Sequence, residues 1–111
     1  MHPLLSQHLP RLQELCREHG ARELHAFGSA ASDDGAFDPG RSDFDLLVEF
    51  VDEDLGPSMK RFFDFQRACE ALLGRRVDLV LASALRGPQS HASPFIRASV
   101  EARKVPMYAA A

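Results

Sequence analysis

Three aspartates and one Gly-Ser pair hold the chemistry that this sequence can offer. Asp43 and Asp45 stand two residues apart in "SDFDLLVEF", residues 42–50. Asp78 lies inside the apolar run "RVDLVLA", residues 76–82. Gly28 and Ser29 close the segment "RELHAFGS", residues 22–29. Carboxylates are depleted in strands, and here two of them open an otherwise apolar one. Side chains alternate across a strand, so Asp43 and Asp45 share one face with Leu47. Phe44, Leu46, Val48 and Phe50 take the other face, which is the better candidate for the core. Two carboxylates about 7 Å apart along a strand repel unless a cation sits between them. Mg²⁺ suits the position, because it takes hard oxygen ligands, often carboxylates together with substrate phosphates.

An acidic residue in a buried strand needs a partner or a function, and Asp78 is read as such a residue. If its strand lies beside the 43–50 strand, the three aspartates converge; pairing with Arg75 or Arg76 is the alternative. A glycine lets the backbone approach a ligand closely, and the N–H groups that follow it can cradle phosphate oxygens. The Ser29 hydroxyl adds a donor. A phosphate cradle facing carboxylates that hold two metals meets the needs of in-line displacement, as in nucleotidyl transfer from a nucleoside triphosphate.

The elements that must position these groups follow from periodicity. Leu5, Leu9, Leu12 and Cys16 recur at helical spacing and predict a helix over 4–19, beginning or kinking at Pro10 and stopping at Gly20. Residues 22–28 read as a strand, 30–42 as loop and 43–50 as a strand. Ser58 caps a second helix with an apolar stripe of Phe62, Phe65, Cys69 and Leu72, ended by Gly74. The 76–82 strand is too continuously apolar for a solvated edge. Ser93-Pro94 opens a short helix to about Arg103, and "VPMYA" is a terminal strand or docked tail. The fold class expected is α/β or α+β: a small mixed sheet with helices packed on it. The 43–50 and 76–82 strands are expected to be parallel neighbours through a right-handed crossover, with the 22–28 strand antiparallel.

Composition bounds the rest. The 111 residues suffice for one domain, 1–111, and not for two. The apolar fraction is 45% and the charged fraction 26%, ordinary for a globular chain. A net charge of -3 and a pI near 5.9 argue against an extended nucleic-acid surface, which needs a basic face. Cys16 and Cys69 fall on apolar helix faces and read as buried small hydrophobes. The five histidines lack ligand spacing for zinc. Phe62, Phe63 and Phe65 read as core or partner interface rather than a base-stacking platform. No run spans a bilayer and no secretory leader is evident, so a cytoplasmic setting is the default expectation.

The order Gly-Ser, spacer, Asp-x-Asp and later strand Asp resembles the signature of the DNA polymerase beta-like nucleotidyltransferase superfamily. The chain length, "SDFDLLVEF" and the ending "SVEARKVPMYA" resemble the minimal nucleotidyltransferase (MNT) proteins of bacteria and archaea. The resemblance covers nearly the whole chain. It implies that Asp43 and Asp45 ligate two Mg²⁺ ions, that Asp78 completes the metal site and helps activate the attacking hydroxyl, and that Gly28 and Ser29 bind the triphosphate of ATP. It also implies a HEPN-domain partner encoded nearby, a ribonuclease toxin that the MNT protein neutralises, in some cases by moving AMP from ATP to a tyrosine. The chain departs from the family loop in two ways. Thirteen residues separate Ser29 from Asp43, more than is usual, and Ser32, followed by Asp33 and Asp34, stands where the family has an arginine. Arg41 is the expected replacement cation for the phosphates. Two alternatives accompany this reading: an antitoxin that neutralises by binding alone, and a small-molecule nucleotidyltransferase that needs a separate helical subunit. Homo- or hetero-oligomerisation stays open.

Overall fold

In the computed structural model, residues 3–28, 44–51, 59–82 and 104–110 are described. The elements are α1 (Pro3–His19), β1 (Ala21–Phe27), β2 (Phe44–Phe50), α2 (Met59–Leu73), β3 (Val77–Leu81) and β4 (Val105–Ala109). The expected helix over residues 94–103 lies outside the described residues. "VPMYA" is the strand β4.

α1 begins at Pro3 and runs through Pro10 without interruption. Pro10 is exposed, and so is Ser6, whose carbonyl it leaves without an N–H partner, so water can replace the missing bond. Leu5, Leu12, Leu15 and Cys16 form the buried stripe. At the end of α1 the chain reverses through Gly20, and the Val51 N–H donates to the Gly20 carbonyl at 2.9 Å. That bond ties the end of β2 to the end of the helix.

The four strands form one sheet in the order β3-β2-β1-β4. β1 is antiparallel to both β2 and β4, and β2 is parallel to β3. The parallel pair and the antiparallel β1 match the expectation from sequence. One face of the sheet packs under both helices. Leu24, Ala26, Phe44, Leu46, Val48, Phe50, Val77, Leu79 and Met107 meet the α1 stripe and Phe65, Cys69 and Leu73 of α2. Phe50 and Phe65 are both fully buried and meet edge to face, with centroids 5.8 Å apart. Arg61 lies over the Phe50 ring at 4.7 Å and donates to the Val51 carbonyl at 2.8 Å. Among the three phenylalanines of α2, Phe65 is core, Phe62 is half-buried and Phe63 is exposed.

The expectation that the 76–82 strand avoids an edge is corrected. β3 ends the sheet among the described residues. Its apolar content reflects its face, not its flank: α2 covers Val77 and Leu79 from one side. α2 also caps the flank. The Val77 N–H donates to Glu70 Oε2 at 3.1 Å, and Gln66 Nε2 donates to the Val77 carbonyl at 3.0 Å. The first outward-facing backbone pair of the edge is thereby satisfied without another strand.

Candidate functional site

The face of the sheet turned away from the helices carries the charged groups. Cross-strand register fixes their neighbours. Asp45 pairs with Phe27 of β1 on one side and with Asp78 of β3 on the other. One step along, His25 pairs with Leu47 and Leu47 with Val80. Phe27 and Leu47 are buried and pack with Val80 and Ala82, so an apolar floor borders the carboxylates. Asp45 is half-buried and Asp78 is exposed.

Asp78 therefore departs from its reading as a buried acid. Its strand ends the sheet among the described residues, and its side chain alternates away from Val77 and Leu79, which α2 covers. The adjacency of the two strands is as expected, and it sets Asp45 and Asp78 opposite each other on parallel neighbours, about 5 Å apart by ladder spacing. Asp43, Ser29 and Arg41 lie outside the described residues. Among the described residues no group of three His, Cys, Asp or Glu side chains is arranged around a common metal position. The two described carboxylates are hard oxygen donors at adjacent positions, which fits a divalent cation such as Mg²⁺.

Gly28 brings backbone up against Asp45 of this pair. It follows Phe27 directly and has φ +68, in the left-handed region. A Cβ built there would collide with Asp45 Oδ2 and come within 3.2 Å of Asp45 Cγ. The Asp45 carboxylate thus lies against the Gly28 backbone, and only glycine leaves it room. The sequence assigned Gly28 to phosphate approach. The structure adds a second demand on the same residue.

Beyond Asp78, at the outer edge of β3, a recess of ≈ 290 Å³ is lined by Gln66, Glu70, Arg76, Val77 and Asp78. On the opposite flank, His25 is half-buried on the open face. Burial holds its pKa below the usual imidazole range, and the Lys104 charge lowers it further against Glu23 and Glu49, which raise it. The sequence reading set His25 aside with the other histidines and gave Lys104 no role. The β1–β2 ladder sets His25 one step from Asp45, while only the pairing of β1 with β4 brings Lys104 to this face, and nothing local in the sequence signals that second ladder.

Comparisons with known proteins show what the chain is similar to in sequence and fold. A model of the nucleotidyltransferase domain matches residues 11–105. The protein adenylyltransferase MntA of Thermococcus cleftensis is 42% identical over 74 residues, which cover 67% of this chain and 69% of that protein. A solved structure of a candidate minimal nucleotidyltransferase superposes with a TM-score of 0.67 at 30% identity, covering 92% of this chain and 91% of the other. A solved complex of tri-AMPylated Shewanella oneidensis HEPN toxin with MNT antitoxin matches with a TM-score of 0.62 at 16% identity, covering 95% of this chain and 72% of that one. At that identity the last likeness concerns the fold.

Proposed function

The chain belongs to the nucleotidyltransferase domain family, and from that premise we propose that residues 1–111 act as one minimal domain that moves AMP from ATP to a hydroxyl of a protein partner. The partner proposed is a HEPN protein, which the chain would neutralise as its antitoxin. The observation that carries this reading is the pair Asp45–Asp78 on adjacent strands, with the Gly28 backbone against Asp45. The names of its relatives point the same way: one is a protein adenylyltransferase, and another is an MNT antitoxin solved with an AMPylated HEPN toxin.

In this reading Asp43, Asp45 and Asp78 hold Mg²⁺, which when bound neutralises charge on the reacting phosphate and stabilises in-line displacement. Gly28 and Ser29 present their donors to the phosphate oxygens, with Arg41 assigned to the same anion. Asp78 accepts the proton of the acceptor hydroxyl as that oxygen bonds to the α-phosphorus. The α–β phosphoanhydride bond breaks, and pyrophosphate leaves with its electron pair. Being exposed, Asp78 is open to an acceptor carried on another protein, and the recess beside it lies on that approach. The test is incubation of the purified chain with α-labelled ATP, Mg²⁺ and the HEPN protein. Label on the HEPN protein, abolished by Asp45→Asn, is expected; no label from folded wild-type chain counts against transfer.

A second reading, neutralisation by binding alone, is favoured by Ser32, Asp33 and Asp34, which make the Gly-Ser loop acidic. The same variant separates the two. If Asp45→Asn still binds the HEPN protein and still neutralises it, binding suffices and transfer is dispensable.

A further inference from the structure

We infer that Lys104 is a phosphate-binding residue of the nucleotide site, reaching over Phe27 to the polyphosphate that Gly28 and Asp45 receive. This rests on the nucleotidyltransferase reading and adds to it a residue from the far edge of the sheet.

Register carries the placement. β4 pairs with β1 through His25↔Pro106 and Ala26↔Val105. One further step of the same ladder sets Lys104 opposite Phe27. Phe27 in turn faces Asp45, and Asp45 faces Asp78. A single row across the sheet therefore reads Lys104, Phe27, Asp45, Asp78. Val105 packs against the core below, so its neighbour Lys104 alternates to the open face. The Lys104 charge lies close enough to His25, another open-face residue, to lower its pKa, in keeping with that placement. Lys104 is exposed, and among the described residues no hydrogen bond or ion pair holds it elsewhere.

Charge supplies the reason. A triphosphate brought beside Asp45 and Asp78 meets two like charges, and Glu23 and Glu49 add to them along the same face. A metal ion held by Asp45 and Asp78 would offset this where it binds, at the carboxylate end of the row. The phosphates farther from Asp45 need a cation from the protein. Among the described residues, Arg75 is stacked 5.7 Å from the Phe44 ring on the helix side, and Arg76 lines the outer edge of β3. Lys104 stands on the Gly28 side, about two strand spacings, roughly 10 Å, from Asp45 at the backbone. Its stem is long enough to carry the ammonium inward past the buried Phe27 toward the Gly28 end of the row. The apolar floor lowers the local dielectric, which strengthens a lysine–phosphate contact.

Isothermal titration of a non-hydrolysable ATP analogue and of AMP, each with Mg²⁺, tests this on the purified full chain. Wild type binds the analogue. Lys104→Ala weakens the analogue about tenfold and AMP less than about twofold, because the contact is to the distal phosphates. Lys104→Arg keeps affinity within about threefold of wild type. Circular dichroism and thermal melts confirm that both variants fold, as an exposed position just before β4 predicts. Equal affinity of Lys104→Ala and wild type for the analogue overturns the inference while leaving the nucleotidyltransferase reading in place. An equal loss for AMP and the analogue also overturns it. Wild-type chain that binds neither nucleotide overturns the underlying reading, and the inference with it.

Discussion

Gly28 shows how one residue type can answer two demands. Its φ of +68 lies where a side chain is strained, and its missing Cβ leaves space for the Asp45 carboxylate. Gly28→Ala therefore costs about 1–2 kcal/mol in backbone strain and pushes Asp45 out of line with Asp78. The expected outcome is a lower melting temperature together with at least about a tenfold loss of the proposed AMP transfer, followed with labelled ATP. A variant that melts and transfers as wild type would show that Asp45 has room to move. The cysteines stand at the other extreme. Burial pushes the Cys16 and Cys69 thiols up to about 12, so they serve as packing and stay protonated.

Among the elements, β3 departs furthest from its reading in sequence. Its hydrophobic run correctly marked a strand packed against a helix. Apolarity describes what lies above and below a strand, however, and says nothing of what lies beside it. Here Glu70 and Gln66 of α2 stand in for a neighbouring strand at Val77. Glu70→Leu leaves the Val77 N–H without its acceptor and lowers stability by about 1 kcal/mol, measured by urea denaturation. An unchanged midpoint would mean that water replaces the carboxylate at no cost. β1, β2, α1 and α2 were legible because their apolar residues recur with period 2 or 3.6 over at least two turns or several pleats. The β1–β4 ladder was not legible, because its partners are some eighty positions apart and share no local pattern.

At the scale of the whole molecule, the sheet separates two environments. Both described helices lie on one face and bury the core; the other face holds Asp45, Asp78, Glu23, Glu49, His25 and Lys104. His25 couples that open face to global stability. Burial, with Lys104, lowers its pKa on folding, so the unfolded chain takes up a proton first as the pH falls. Stability is therefore full above the usual imidazole range and is lost as the pH drops through it, levelling off below the folded value. His25→Gln should flatten this dependence in urea melts from pH 8 to pH 5, while a curve identical to wild type would assign the effect to other groups. What the sequence offered by itself was the candidate chemistry: Asp43, Asp45, Asp78 and Gly28-Ser29 are short-range patterns, which residue type and local period suffice to propose. Only the tertiary structure decided that β3 ends the sheet among the described residues, that Asp78 is exposed, and that Lys104 shares a row with Asp45. Those facts depend on which strands lie side by side. Pairing is set by the packing of the whole sheet against α1 and α2, which no local stretch of sequence encodes.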